Sequence, residues 1–304
     1  MNMTVLFIFL DGVGLGSNDA LINPLVNANM PNLQNLLNGR KLIFSSAPYS
    51  GKQASLLAID ANLGVSGIPQ SATGQAVLLT GKNVPELIGY HYGPKPDKAT
   101  AQTLADGGIF GTLLKLGKSA ALLNAYPPGY FSGINSGKRM YSSIPLAVVN
   151  SGLPLFTLED LMNQNAISAD FTGEGWVEKM AIKDIPVKSK FDAGTFLIGL
   201  SQKYDFAFFE YWLTDYEGHG QNIESSIKLL EDLDIIIGGI LSGINDNDVL
   251  IITSDHGNLE DLSTRRHTSN PVPLIVIGNQ NNRSIFENII DLCGLVPSIL
   301  KVIG

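Results

Sequence analysis

The run Val5–Leu10, with the sequence VLFIFL, is continuously apolar and ends at the tetrapeptide DGVG of residues 11–14. Because no polar residue interrupts it, the run predicts a strand that is buried on both faces, as in a parallel sheet covered by helices. A carboxylate that follows such a strand lies at the sheet edge where open α/β folds bind their ligands. Asp11 is therefore a candidate ligand residue, with an ordinary turn residue as the alternative.

Similar segments recur towards the C-terminus. Short apolar runs rich in β-branched or aromatic residues predict strands at Phe206–Tyr211, Val249–Thr253 and Leu274–Ile277. Apolar residues at helical spacing predict a helix over Ser225–Leu241. A closing helix is predicted over Ile285–Ile303, with a break near Gly294 and Pro297 as the alternative to a continuous helix. Strands that alternate with helices predict an α/β fold, with a doubly wound, mostly parallel sheet and helices on both of its faces.

The stretch from residue 83 to residue 190 differs in composition from the rest of the chain. It contains motifs rich in Gly, Pro and Tyr, such as GPKP at 93–96 and AYPPG at 125–129. Because long unstructured loops are uncommon in compact domains, an inserted, smaller α+β cap is favoured over a set of loops. We therefore predict a core of residues 1–82 and 191–304, with a cap of residues 83–190.

The charge and cysteine content exclude several classes of protein. The 304-residue chain has 20 basic and 28 acidic residues, which gives a net charge of 20 − 28 = −8. This balance argues against a binder of nucleic acid or of anionic membranes, but bound divalent cations would still permit an anionic substrate. The single cysteine, Cys293, cannot form an internal disulfide. With no apolar run of ~18 residues and no basic leader, we expect a cytoplasmic protein.

The histidines are concentrated beside predicted strand ends. Three of the four, His219, His256 and His267, stand there in short polar motifs. Asp215 and His219 are four residues apart, so that in a helical turn both can face one ion. Asp255 precedes His256 directly after a buried strand, where both groups are costly unless they are paired, solvated or bound to a metal. The pattern favours a metal site over a structural histidine cluster, and such mixed ligands suit zinc, manganese or iron.

The segment PQSATGQAVLLTG at 69–81 contains a candidate nucleophile. Ser71 is a residue type common at helix N-caps, and Gly81 is placed to end the helix. A hydroxyl at a helix N-terminus lies at the positive end of the helix dipole, which favours a developing alkoxide. Taken alone, however, an ordinary helix cap explains Ser71 better.

In this order, the motifs resemble the alkaline phosphatase superfamily, and in particular its branch of cofactor-independent phosphoglycerate mutases and phosphopentomutases. The segment FLDGVG at 9–14 is similar to the first metal-binding strand end of that branch. SDHGN at 254–258 and HTSNPVP at 267–273 are similar to its two C-terminal signatures. The resemblance covers roughly residues 1–82 and 200–304, the predicted core, and implies an alkaline-phosphatase-like fold there.

The resemblance also implies two divalent metal ions, with Mn²⁺ and Zn²⁺ favoured. It assigns three ligands to each ion: Asp215, His219 and His267 to one, and Asp11, Asp255 and His256 to the other. Ser71 would be the nucleophile and would also bind the second ion through its oxygen. Thr73 is the less favoured candidate for that role.

The acceptor of the phosphoryl group decides the reaction class. A hydrolase admits water, whereas a mutase retains the dephosphorylated substrate and returns the phosphoryl group to another hydroxyl. Arg139 is the only arginine between residues 83 and 190, and arginine is the favoured bidentate partner of phosphate and carboxylate groups. We therefore expect a hydrolase of a small phosphate ester. The alternatives are a phosphosugar or phosphoglycerate-type mutase and, less favoured, a catalytically inert metal-binding protein.

Overall fold

The protein is described by a computed structural model over residues 3–304. Its strands are β1 (Val5–Leu10), β2 (Tyr49–Ser50), β3 (Ala54–Ile59), β4 (Ala120–Leu122), β5 (Phe206–Tyr211), β6 (Val249–Thr253) and β7 (Val272–Ile277). They form one sheet in the order β2-β3-β7-β6-β1-β5-β4. Strands β3, β6, β1, β5 and β4 run in one direction, whereas β7 and β2 run in the other. The predicted mostly parallel α/β sheet is confirmed, with two antiparallel strands that the sequence did not indicate.

The helices that accompany this sheet are mostly short. They are α1 (Pro24–Asn27), α2 (Pro31–Leu36), α3 (Ser71–Thr80), α4 (Val84–Ile88), α5 (Lys98–Thr103), α6 (Gly108–Lys115), α7 (Pro128–Asn135), α8 (Ser143–Asn150), α9 (Leu158–Met162), α10 (Glu174–Glu178), α11 (Lys190–Ser201), α12 (Leu213–Gly220), α13 (Ile223–Gly243), α14 (Gln280–Ser284) and α15 (Leu295–Ile303). The helix predicted over Ser225–Leu241 is confirmed within α13. Within residues 3–304, no helix has both the length and the apolar character needed to cross a bilayer.

The predicted closing helix is shorter than expected. A 3₁₀ turn at Leu292–Gly294 precedes α15, and the Asp291 carboxylate accepts a hydrogen bond from the Cys293 N–H there. The helix begins at Leu295, directly after Gly294, so the alternative of a break near Gly294 is confirmed, whereas Pro297 lies within α15. At the capped turn a side chain satisfies the backbone donor in place of a helical carbonyl.

The two faces of the sheet are both covered by helices. On β1, the alternate residues Val5, Phe7 and Phe9 belong to a cluster that includes side chains of α3, α6, α8 and α15. The intervening side chains of β1 pack with those of α11 and α13 on the opposite face. Full burial of each such side chain contributes roughly 1.5–3 kcal/mol. This arrangement explains the uninterrupted apolar sequence of β1 and confirms the doubly wound arrangement.

Much of the segment predicted as an inserted cap packs against the main sheet. Its strand β4 pairs with β5 and is an edge strand of that sheet, while α5, α6 and α8 contact α3. The same segment also has a smaller hydrophobic cluster, which contains Ala125, Leu161, Ala166, Trp176 and Ile185. The segment thus contributes to the core layer as well as having a cluster of its own. Its boundaries as a domain, at residues 83 and 190, stay a prediction.

The sheet brings the polar motifs to one edge. Because β1, β5 and β6 are parallel and adjacent, their carboxyl ends lie side by side. Strand β7 is antiparallel to β6, so the loop that precedes β7 meets the same edge. The residues that follow β1, β5 and β6 and those that precede β7 therefore converge there.

Candidate metal centre

Asp11 directly follows β1 and is fixed by its own backbone. Its N–H donates to the Tyr211 carbonyl at 3.0 Å, and its carbonyl accepts a hydrogen bond from Thr214 Oγ1 at 2.6 Å. Gly12 then turns the chain with a φ of +67°, and a Cβ at this position would lie 2.6 Å from Asp215 Oδ1. Glycine is therefore required at residue 12 both for the turn and for the close approach of Asp215.

The other predicted ligands lie on α12, in the loop after β6 and in the loop before β7. Asp215 and His219 lie one turn apart on α12, with His219 Nε2 3.3 Å from Asp215 Oδ2. Asp255 and His256 follow β6, and the preceding Ser254 Oγ accepts a hydrogen bond from the Val13 N–H at 2.9 Å. This bond ties the loop after β6 to the loop after β1.

The ligand atoms form two compact groups that share one histidine. Asp11, Asp255 and His256 form one group, and Asp215, His256 and His267 form the other; within each group the ligand atoms lie within 4.8 Å of one another. His256 Nε2 is 3.3 Å from Asp11 Oδ1 and 3.6 Å from Asp255 Oδ2. The first group has the membership implied by the resemblance, whereas the second contains His256 in place of His219.

His219 nevertheless lies beside this second group. Its ring centroid is 5.2 Å from that of His267, whose Nε2 is 3.7 Å from Asp215 Oδ1. The rings of His256 and His267 stack with centroids 3.8 Å apart. The fold therefore brings all six predicted carboxylate and imidazole groups into one site.

The backbone orients all three imidazoles in the same way. Nδ1 lies 2.8 Å from the Arg265 carbonyl in His219 and 3.0 Å from the Pro69 carbonyl in His267. In His256, Nδ1 is 3.3 Å from the Gly257 carbonyl. Because a carbonyl oxygen can only accept, each Nδ1 is assigned as the donor, which leaves the lone pair on Nε2 facing the site. Such an outer hydrogen bond is the usual support of a histidine that binds a metal.

The carboxylates are placed where a cation would offset their burial. Asp11 Oδ1 and Asp255 Oδ2 are buried and make no hydrogen bond within residues 3–304. Burial raises the pKa of both groups well above the usual value; the Asp215 carboxylate raises that of Asp11 further, and the Asp11 carboxylate that of Asp255. Burial lowers the pKa of His256, which favours the neutral, ligating form of its ring. The unsatisfied atoms face His256 Nε2, so the donor set fits a divalent metal ion.

Ser71 lies within reach of the buried group. It is the first residue of α3, with Gln70 at the N-cap position that the sequence had suggested for Ser71 itself. Its Oγ is 3.0 Å from His256 Nε2. A Cβ on Gly74 would lie 2.9 Å from Asp255 Cβ, so the absence of a side chain there lets α3 pack directly on the loop after β6.

Thr73, the less favoured nucleophile candidate, has a different environment. Its Oγ1 accepts a hydrogen bond from the Tyr92 N–H at 3.1 Å, and the Thr73 N–H donates to the Tyr92 carbonyl at 3.0 Å. Thr73 therefore clamps the loop around Tyr92 to the start of α3.

Glu260 was missed by the sequence reasoning, although it connects three loops of the site. Its buried carboxylate accepts hydrogen bonds from the N–H groups of Gly14 and Asn258, both at 2.8 Å. It also accepts from Thr268 Oγ1, and from Asn270 Nδ2 at 3.0 Å. A Cβ on Gly14 would lie 2.3 Å from Glu260 Oε1. The second glycine of the DGVG motif thus makes room for Glu260, a role that the motif alone does not reveal.

Glu210 and Lys95 were also missed, and both lie in the electrostatic environment of Asp11. Glu210 ends the buried part of β5 and accepts a hydrogen bond from the Tyr126 hydroxyl at 3.3 Å. Burial, reinforced by the Asp11 carboxylate, raises the pKa of Glu210 to about 7. Burial lowers the pKa of Lys95, and the nearby carboxylates of Glu210 and Asp11 oppose this shift by favouring the charged ammonium form. Lys95 lies in the GPKP motif at 93–96 and Glu210 in the strand predicted over Phe206–Tyr211, but neither pattern indicates that its charged residue belongs to a site.

With this geometry in place, the comparisons with known proteins can be interpreted. Residues 188–304 match the family model described as the Metalloenzyme superfamily. The match covers less than half of the chain, and it shows that this segment is similar to that superfamily. The segment includes Asp215, His219, Asp255, His256 and His267, whereas Asp11 and Ser71 lie outside it.

Two phosphoglycerate mutases are similar to part of this chain. One is 2,3-bisphosphoglycerate-independent phosphoglycerate mutase 1 of Methanosarcina acetivorans, 34% identical over 112 residues, which are 34% of this chain and 21% of the relative. The other is 2,3-bisphosphoglycerate-independent phosphoglycerate mutase of Ehrlichia canis, 36% identical over 111 residues, which are 34% of this chain and 22% of the relative. The similarity thus spans only about a fifth of each relative's length.

Solved structures resemble this chain along its whole described length. The PH0037 protein from Pyrococcus horikoshii has a TM-score of 0.58 at 14% identity, with 100% of this chain and 98% of that chain covered. Alkaline phosphatase from the Antarctic bacterium TAB5 has a TM-score of 0.57 at 16% identity, with 99% and 98% covered. At these identities the similarity establishes the fold, which is alkaline-phosphatase-like. The match of residues 188–304 to the superfamily model and the two ligand groups together support divalent metal binding.

Proposed function

We propose that this metalloenzyme is a two-metal phosphoryl-transfer enzyme that hydrolyses a small phosphate ester through a phosphoserine at Ser71. The observation that carries the proposal is the position of Ser71 Oγ, 3.0 Å from His256 Nε2 at the N-terminus of α3. The hydroxyl thereby joins the group that contains Asp11 and Asp255. A serine is a weak nucleophile at neutral pH unless its surroundings lower the pKa of its hydroxyl. In this proposal the metal ion held by the buried group lowers that pKa.

The ligand assignment is the one that the resemblance implies. The buried group has the same three members, and His219 lies beside the second group, with its ring centroid 5.2 Å from that of His267. Asp11, Asp255, His256 and Ser71 would hold one ion, and the exposed-side residues Asp215, His219 and His267 would hold the other. We propose Mn²⁺ or Zn²⁺ because carboxylate and imidazole donors are mixed in both sets. A pair of divalent ions, when bound, lowers the pKa of hydroxyl groups and neutralises charge on phosphoryl oxygens.

The chain's own residues then perform two displacements. In the first, Ser71 releases its proton to solvent and Oγ forms a bond to phosphorus as the bond from phosphorus to the leaving oxygen breaks; the departing alcohol takes a proton from water. In the second, the oxygen of a water molecule forms a bond to phosphorus and the bond from phosphorus to Ser71 Oγ breaks. The products are the alcohol and inorganic phosphate, and Ser71 recovers its proton from solvent. The positive end of the α3 dipole favours the serine oxyanion in both steps.

A hydrolase is favoured over a mutase because the middle segment offers few arginine contacts that could retain a released alcohol. The middle segment contributes Arg139 as its sole arginine, and this side chain is exposed and lies over the Tyr130 ring, 5.0 Å from its centroid. A single guanidinium that is already stacked on an aromatic ring offers few bidentate contacts for retaining a released alcohol. The mutase remains the second candidate because the matched relatives are phosphoglycerate mutases. The substrate that we propose is a small phosphorylated molecule in the cytoplasm, in either case.

One assay separates these functions. Protein reconstituted with Mn²⁺ or Zn²⁺ is incubated with phenyl phosphate, 3-phosphoglycerate and a phosphopentose, while free phosphate and positional isomers are followed together. We expect release of free phosphate without isomerisation. Isomerisation without release would instead establish the mutase.

The matched control is protein that has been treated with a chelator and not reloaded, which should be inactive on every ester. Absence of both reactions across a broad panel of phosphate esters, in protein that binds metal, would contradict the proposal and favour the inert metal-binding protein.

A further inference from the structure

A cavity of about 430 Å³ opens beside the metal centre. Its lining includes three of the proposed ligands, Asp11, Asp215 and His219, and two aromatic residues, Trp212 and Tyr216. Because the ligands fix where a phosphoryl group would lie, the remainder of an ester extends along the other lining residues. Clefts of this size that combine apolar walls with a few polar groups are typical of small-molecule sites.

The aromatic residues of this cavity are unusually exposed. Trp212 is 45% exposed and Tyr216 is 64% exposed, although aromatic rings are the side chains with most apolar area to bury. They lie four residues apart, at the start of α12, and their rings are nearly perpendicular at 89° with centroids 6.5 Å apart. The helix that presents the ligands Asp215 and His219 thus also presents a pair of free aromatic rings to the same cavity.

The charged residues of the cavity narrow the chemistry of the ligand. Besides Asp11 and Asp215, the lining contains Glu217, and the part of it that falls within residues 3–304 contains neither Lys nor Arg. With the metal ions bound at Asp11 and Asp215, a carboxylate or second phosphate on the leaving group would still meet the Glu217 carboxylate, and Lys95 does not line the cavity to offset it. An uncharged ring meets no such penalty and can stack on Trp212 or Tyr216.

We propose that Trp212 and Tyr216 form a stacking platform for the leaving group, and that the substrates are phosphate monoesters of an uncharged, planar ring alcohol. The hydrolysis step of this inference rests on the proposed function, whereas the binding of a ring to Trp212 and Tyr216 does not. The ring alcohol is the group that departs when Ser71 Oγ bonds to phosphorus, and it leaves with a proton from water. Trp212 and Tyr216 contact the substrate without taking part in bond making.

The test compares ring and non-ring ligands in the metal-loaded full chain. Binding of phenylphosphonate and methylphosphonate, which cannot be hydrolysed at the carbon–phosphorus bond, is measured by titration calorimetry. We expect phenylphosphonate to bind about tenfold more tightly in the wild type, and Trp212→Ala to abolish this preference. Trp212→Phe keeps a ring and should restore most of it. Phe191→Ala is the matched control, because Phe191 is similarly exposed at 47% and does not line the cavity.

Turnover of phenyl phosphate and glycerol 2-phosphate provides the second measurement. Trp212→Ala should raise KM about tenfold for phenyl phosphate and leave KM for glycerol 2-phosphate nearly unchanged. Equal affinity of the wild type for the two phosphonates, or an equal effect of Trp212→Ala on both ligands, would overturn the platform. If the preference for phenylphosphonate depends on Trp212 but no ester is hydrolysed, the platform stands and the proposed function fails.

Discussion

The two halves of the metal centre are built differently. The buried half, defined as Asp11, Asp255 and His256, lies at the ends of the central strands β1 and β6, and the His256 side chain has no exposed surface. The exposed half, defined as Asp215, His219 and His267, lies on α12 and on the loop before β7, and the His219 side chain is 45% exposed. Similar donors are therefore held by the rigid sheet in one half and by surface elements in the other.

This difference has a physical consequence for metal binding. In the buried half, desolvation is severe, and Asp11 Oδ1 and Asp255 Oδ2 have no hydrogen bond within residues 3–304, so a cation there offsets a large electrostatic cost. In the exposed half, water can replace a lost ligand at little cost. We expect the buried half to hold its ion more tightly and to be the half on which the chemistry at Ser71 depends. The predictions below test that contrast.

The largest effect is expected at Ser71, the nucleophile of the buried half. Ser71→Ala should lower kcat by about three powers of ten or more, because water would then have to attack phosphorus directly in a site arranged for the serine. Initial rates with phenyl phosphate measure this, and acid quenching with labelled ester should trap phosphate on the peptide that contains Ser71.

Ser143→Ala is the matched control for this substitution. Ser143 is also a buried serine near α3, and its hydroxyl donates to the Ala72 carbonyl at 2.8 Å. Its loss should leave turnover within a few-fold of the wild type. Label on Thr73 would show that the nucleophile is misassigned by two residues, and full activity of Ser71→Ala would refute the covalent mechanism.

A smaller but distinctive effect is expected when one histidine is removed from each half. His256 belongs to both compact groups, whereas His219 lies only beside the exposed one. His256→Ala should therefore reduce the metal content from about two ions per chain to less than one, and His219→Ala should leave about one. Elemental analysis after reconstitution and gel filtration measures the content.

The fourth histidine supplies the control for both variants. His91 is in neither ligand group, so His91→Ala should bind metal like the wild type. If His256→Ala and His219→Ala lose the same amount of metal, the two halves are equivalent and the contrast drawn above is wrong.

The sequence predicted those features of the molecule that are encoded locally. An uninterrupted apolar run followed by Asp11 indicated a central strand and a residue at its ligand-binding end, and β1 has both properties. The helical spacing of Asp215 and His219 likewise matches α12. In each case a short pattern fixes both the element and the position of the side chain at its end.

The features that the sequence did not predict depend on contacts between distant segments. The direction of β7 is set by its pairing with β3 and β6, and its apolar sequence is compatible with either direction. The position of His256 between two ligand groups depends on the packing of α3 and of the loop before β7. Glu260 contacts Gly14 across 246 positions of sequence, which no local motif can indicate.

The smallest effect concerns Glu260, which supports the two halves unequally. Glu260 accepts a hydrogen bond from the Asn258 N–H, and the Asn258 side chain in turn donates to Asp215 Oδ1 at 2.7 Å. Glu260 also accepts a hydrogen bond from the hydroxyl of Thr268, which directly follows His267. These two connections lead to the exposed half, whereas the hydrogen bond from the Gly14 N–H leads to the loop after β1, three residues beyond Asp11. Glu260→Gln preserves the shape of the side chain but replaces one accepting carboxylate oxygen with an NH₂ group, which can only donate. We therefore expect metal binding in the exposed half to weaken about 10- to 100-fold, the usual effect of losing an outer partner of a metal site. Affinity in the buried half should change little, because Asp11, Asp255 and His256 are held by β1 and β6.

A two-step titration of metal-free protein with Mn²⁺ resolves the two affinities, and Glu159→Gln, at an exposed residue, controls for the change of charge. If Glu260→Gln weakens both steps equally, Glu260 supports the centre as a single unit and the two halves do not behave independently.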